Sequence, residues 1–207
     1  MTRNVRSSRI WYLAPVGLVA LLLVIVLVLL RPGPSALNAL IRGAALLGYL
    51  SLLAAIVSSA YMRELVRFFG RPFVQVHHVL SVAGLILIVL HPLAVALDQS
   101  SLGVLIPTVS SWKVFLTNGG RPAWYLIVIA SLAGLLRTRI GKRWKLIHYL
   151  NYLAFWLATV HAVRLGEDGQ LPAIRVVFVV AALGVLAVWV LKQIAARKRR
   201  SAKQKRG

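Results

Sequence analysis

Apolar residues fall in six long runs, at residues 10–30, 43–62, 72–97, 122–136, 146–163 and 176–191, with most charges bunched in the segments between them. Several runs reach the ~18–20 residues that cross a bilayer as helix, while the fourth and sixth are short for it. Lipid offers no partner to backbone N–H and C=O groups, so such runs must pair their own backbone as helices. The pattern predicts an all-α integral membrane bundle of six transmembrane helices. Punctuation agrees with it. Pro and Gly in RPGPSALN turn the chain after the first run, Pro72 opens the third, and Asn118-Gly119-Gly120 reads as a turn. In the one long connection, Asp98 to Arg121, SSWKVFLT is expected to form a short interfacial helix with Trp112 at headgroup level. The first run follows three arginines as a secretory leader would. Its apolar stretch exceeds the roughly 7–15 residues of a leader, so a retained helix is expected.

Charge sets the orientation. With six spans, one side of the membrane receives 19 of the 25 Lys and Arg residues. The other receives Arg31, Arg42, Lys113, Arg121, Arg164 and Arg175, with three of the four acids, Asp98, Glu167 and Asp168. Basic residues in short loops mark the cytoplasmic side, so both termini are expected to be cytoplasmic in a multi-pass protein of the plasma or inner membrane. The chain then divides into a cytoplasmic N-terminus at 1–9, a six-helix domain at 10–194 and a basic tail at 195–207. A net charge of +21 invites a nucleic-acid reading. The tail RKRRSAKQKRG, however, directly follows a span and has no base-reading element beside it, so the expected partner is anionic lipid and not nucleic acid.

Candidate chemistry rests on histidine. His77 and His91 stand fourteen positions apart in the third run, and His148 and His161 thirteen apart in the fifth. At helical rise each pair is separated by ~20 Å along its axis, most of a ~30 Å hydrocarbon core. If the two His-bearing helices (72–97 and 145–165) face each other, His77 lies level with His148 and His91 with His161. Ionisable groups at membrane depth are functional by default, and none of the acids lies within a span to form a carboxylate relay. Two imidazoles facing at each of two depths suit axial ligation of heme iron. The chain has no cysteine, which excludes disulfides, Cys-held iron–sulfur clusters and thioether-attached heme, so any heme is b-type. Two such hemes are expected, with one possible outcome being the outer pair alone.

Helical phase separates the candidates. Fourteen residues return to within ~40° of the starting face, whereas His78 to His91 is ~140° out, so His77 is favoured over His78. The same arithmetic counts against His148 and His161 unless a tightened 3₁₀-type turn intervenes. Arg67, Arg71, Arg143 and Lys145 flank the inner histidines and Lys113, Arg121 and Arg164 the outer ones, as donors for heme propionates or as topology signals. Gly84 lies midway along the first pair, where a missing side chain would admit a porphyrin face or simply pack helices. Phe155 holds the same place in the second pair, and Asn151 and Tyr152 bridge helices.

The segments HHVLSVAGLILIVLHPL and KLIHYLNYLAFWLATVH, with these four histidines, resemble the ferric reductase-like transmembrane domain family over roughly residues 40–192. That family includes the membrane parts of ferric reductases and NADPH oxidases and the heme subunit of the periplasmic methionine sulfoxide reductase system. The resemblance implies that His77 and His148 hold an inner heme b and His91 and His161 an outer one. It implies transmembrane electron transfer to an extracytoplasmic acceptor, as the membrane subunit of an oxidoreductase system. No Gly-rich dinucleotide fingerprint stands in a strand–turn–helix context, so a separate reductase or quinol is the expected donor. Two other readings compete. One is a heme-free membrane protein such as a transition-metal transporter; the other is a six-helix cytochrome oxidising quinol or ascorbate.

Overall fold

Most apolar runs become helices with defined ends. The computed structural model describes residues 9–70 and 72–204 and contains no strand among them. In chain order the helices are α1 Leu13–Leu30, α2 Ala36–Ala60, α3 Met62–Phe69, α4 Phe73–Asp98, α5 Trp112–Thr117, α6 Gly120–Leu135, α7 Arg137–Ile140, α8 Trp144–His148, α9 Leu150–Leu165 and α10 Pro172–Gln204. Ser35 caps α2 by accepting from the Asn38 N–H at 3.1 Å, and Ser111 caps α5 by accepting from Val114 at 3.2 Å. The expected interfacial segment is therefore helical, with Trp112 exposed. Gly70, at φ 89°, ends α3 in a backbone region that favours glycine and lets the chain reverse into α4.

Among the described residues four helices, α1, α2, α4 and α10, are long and apolar enough to cross a membrane, and they mark the chain as a membrane protein. A fifth candidate arises if α6 is joined to the α7–α8 segment, which bends from it by 78°. Six full spans were expected from the sequence. The shortfall lies in the fourth and fifth apolar runs, which hold α6 and α9 at 16 residues each. Such helices measure ~24 Å, short of a ~30 Å core. The last helix continues through Gln204, into the segment read as the basic tail.

Small residues decide which helices come closest. Gly48 and Gly84 join α2 to α4: a Cβ on Gly48 would lie 3.0 Å from Ile88, and one on Gly84 would lie 3.0 Å from Ser51. Ala123, Ala130 and Ala133 of α6 and Ala154 of α9 are almost wholly buried along the α6–α9 contact. On the other side Tyr49, Phe155 and Phe178 form an aromatic cluster that ties α2, α9 and α10 together, with ring centres 4.7 and 4.8 Å apart. The two His-bearing helices, α4 and α9, hardly touch each other. Each is held by α2 and α6, which leaves a slot between them.

Candidate functional site

Two cavities open along that slot, and each contains one predicted histidine pair. The outer one, of about 430 Å³, is lined by His91 and His161. The inner one, of about 70 Å³, is lined by His77 and His148. The thirteen-residue spacing is accommodated by a break after α8. There the Tyr149 N–H bonds Lys145 and the Tyr152 N–H bonds the Tyr149 carbonyl at 3.1 Å, a 3₁₀-type step. On the partner helix Pro92 directly follows His91 and withholds the N–H that the Ile88 carbonyl would otherwise accept.

Each of the four rings is tethered at Nδ1. Nδ1 of His91 donates to the Ile41 carbonyl at 3.1 Å, that of His161 to Thr117 at 3.3 Å and that of His148 to Ala130 at 2.9 Å. His77 uses a side chain instead: its Nδ1 donates at 3.1 Å to Ser58 Oγ, whose own proton goes to the Ala55 carbonyl. A carbonyl only accepts, so these bonds put the proton on Nδ1 and leave the Nε2 lone pair available as a ligand. Metal-bound histidines are habitually oriented by such a bond. His78 makes none among the described residues and is exposed, with its ring 5.9 Å from that of His77.

Three features of the outer pair bear on whether it could hold a heme. First, the ring centres of His91 and His161 are 6.5 Å apart with planes at 66°. A metal between two imidazole nitrogens, at bonds of about 2 Å, sets ring centres roughly 6 Å apart. Second, the cavity falls within the ~300–1,000 Å³ usual for cofactor sites. Third, it holds an orphan donor: the buried Trp124 Nε1–H has no partner among the described residues. Gly120 makes the room, since a Cβ there would stand 2.6 Å from the His161 ring. At the inner pair the tethers are present but 70 Å³ has space for a few waters and not for a macrocycle. As placed, those residues do not fit a porphyrin.

Other predicted contacts distribute unevenly. Arg71 lies outside the described residues. Lys145 and Arg164 are exposed and line neither cavity, as is true of Lys113. Of Lys113, Arg121 and Arg164, Arg121 reaches the cavity, where its Nη1 bonds the Ile106 carbonyl and Thr108, both at 2.8 Å; Arg42 lines it as well. Gly84, Asn151 and Tyr152 line the inner cavity, and the buried Asn151 Oδ1 has no partner among the described residues. Phe155 lines neither cavity; its ring is wholly buried on Tyr49. The pattern assigned Arg42 to an outer loop. Instead it sits buried in the second turn of α2, bonded to Asp168. A cation inside an apolar stretch demands a partner, which is the signal that could have found the pair.

No group of three or more His, Asp or Glu side chains converges to hold a metal ion among the described residues. No family model, curated protein or solved structure matches the chain.

Proposed function

We propose that this chain is a membrane electron-transfer subunit that holds a b-type heme between His91 and His161 near the outer face. The observation that carries the reading is the 6.5 Å approach of two rings whose Nδ1 protons are both committed to main-chain carbonyls. Two axial imidazoles supply only two ligands, and a porphyrin supplies the other four. Bound there and held by the imidazoles of His91 and His161, heme would supply a one-electron couple suited to electron transfer. The chain's residues hold the rings in their ligating tautomer. Arg121 and Trp124 offer N–H donors to the propionates, the only carboxylates on that cofactor.

The topology that goes with this reading has six spans and both termini in the cytoplasm, with α6 and the α8–α9 pair as the short crossings. The basic inner segments and tail then face the anionic lipid of the cell membrane. Electrons arrive from a separate reductase or from quinol and leave to an extracytoplasmic acceptor. Outward movement of an electron runs with an inside-negative potential, by ~2.3 kcal/mol per 100 mV.

The test is a dithionite-reduced minus oxidised spectrum of the purified protein with heme counted per chain. One low-spin b-type heme is the expected result for the outer site alone. Two would mean that the inner histidines bind heme as well, in a cavity wider than the one described. None, after expression with ample heme, sinks the proposal.

A further inference from the structure

Two of the four acids meet a buried cation on the wall of the outer cavity. Arg42 is 6% exposed and Asp168, on the turn between α9 and α10, is 5% exposed. The pair is bidentate, with Nε to Oδ2 at 2.9 Å and Nη2 to Oδ1 at 2.6 Å. Nη1 donates to the Arg31 carbonyl at the end of α1. Glu167 adds a looser contact at 3.9 Å and takes a bond from Asn38 at 3.1 Å. Each of the three guanidinium nitrogens of Arg42 is thus bonded inside the protein, and its charge is already met by a carboxylate.

The placement of the pair is specific. Arg42 follows Ile41, whose carbonyl orients His91. Asp168 precedes Gly169, which packs so tightly on the Ala162 carbonyl that no Cβ fits, and Ala162 follows His161. Arg42 is therefore one residue from the carbonyl that orients His91, and Asp168 is linked to His161 through the packing of Gly169 on Ala162. Buried pairs contribute little net stability over apolar replacements, so stability alone does not account for one here.

We infer that the Arg42–Asp168 pair is a positioning device for the outer site, which registers the two histidines across the cavity and sets the redox potential of heme held between them. The inference rests on the heme reading above. Its sign follows from charge. Reduction removes one positive charge from the iron, so an unbalanced cation nearby favours the reduced form and an unbalanced anion the oxidised form. Asp168→Asn leaves Arg42 with only the looser 3.9 Å contact of the exposed Glu167, so its charge is under-balanced and the outer potential rises. Arg42→Met leaves Asp168 unbalanced and lowers it. The double variant returns toward wild type.

Optical redox titration and low-temperature EPR of the heme-loaded full chain read this out. Opposite shifts in the single variants, cancelled in the double, are expected; shifts of one sign, or none, with heme retained, overturn the inference. Asp168→Glu covers the case in which a single variant loses its heme. With charge kept and the carboxylate displaced, its potential stays at the wild-type value while the outer low-spin EPR signal moves; an unmoved signal overturns the positioning role. A wild-type chain without heme defeats the functional reading first, and this one only as a consequence.

Discussion

The outer and inner halves of the slot carry the same ligand chemistry in different amounts of space. Both present two histidines from α4 and the α8–α9 segment, and both tether every Nδ1. Yet one cavity measures about 430 Å³ and the other about 70 Å³. The difference comes from the walls. On the outer side Gly120, with no Cβ, lets the His161 ring lie against its backbone, and the long 98–121 connection with the α9–α10 turn forms an open rim. On the inner side Tyr149, Asn151 and Tyr152 crowd in where the helix breaks beside His148. A tether prepares a histidine to bind, and a void decides what it binds.

The strongest way to break the comparison is to remove one ligand from each half. His161→Ala is expected to abolish the low-spin heme signal of the outer site, and His148→Ala to leave it intact. Equal loss of heme from both variants would mean that the halves are not independent. Next in size is the wall itself. Gly120→Val places side-chain atoms in the His161 ring and should reduce heme occupancy several-fold. The matched Gly134→Ala, whose Cβ would sit 3.5 Å from His148 in ordinary contact, should leave occupancy unchanged. Overpacking of the first kind costs about 1–3 kcal/mol, and titration of apo-protein with hemin measures it. The smallest effect belongs to the one side-chain tether. Ser58→Ala removes the acceptor for His77 at a cost of about 1 kcal/mol, seen in thermal unfolding. It should leave the outer heme's spectrum untouched, and a spectral change there would show the two sites to be coupled.

Much of this architecture was legible from the chain alone, and the gaps have definite causes. Long apolar runs specify helices because lipid leaves no alternative, and α1, α2, α4 and α10 follow from that. The histidine pairing was legible through its spacing, but the phase of His148 was not. A 3₁₀ step at Tyr149 depends on whether an N–H reaches three or four residues back, which side-chain pattern does not encode. Arg42 misled because a basic residue near the end of an apolar run reads as a loop, when its partner lies 126 positions away. Gly84 was open to two readings, an opening for a ring or helix packing, and its approach to Ser51 of the neighbouring helix accords with the second. Gly120 and Trp124 carried no signal, since their significance depends on what faces them.

The separation of α4 from α9 has a consequence in time. His91 and His161 are 70 residues apart in the chain, so a ribosome working at about 5–20 residues per second delivers the second ligand some 4–14 seconds after the first. During that interval the earlier helix can settle against α2, its glycine-matched neighbour. It has no counterpart across the slot until α9 arrives, and after that only sparse contact. Closure of the outer site is then a late event in biogenesis, and whatever bridges the two rings acts as the final fastener between an early half of the protein and a late one.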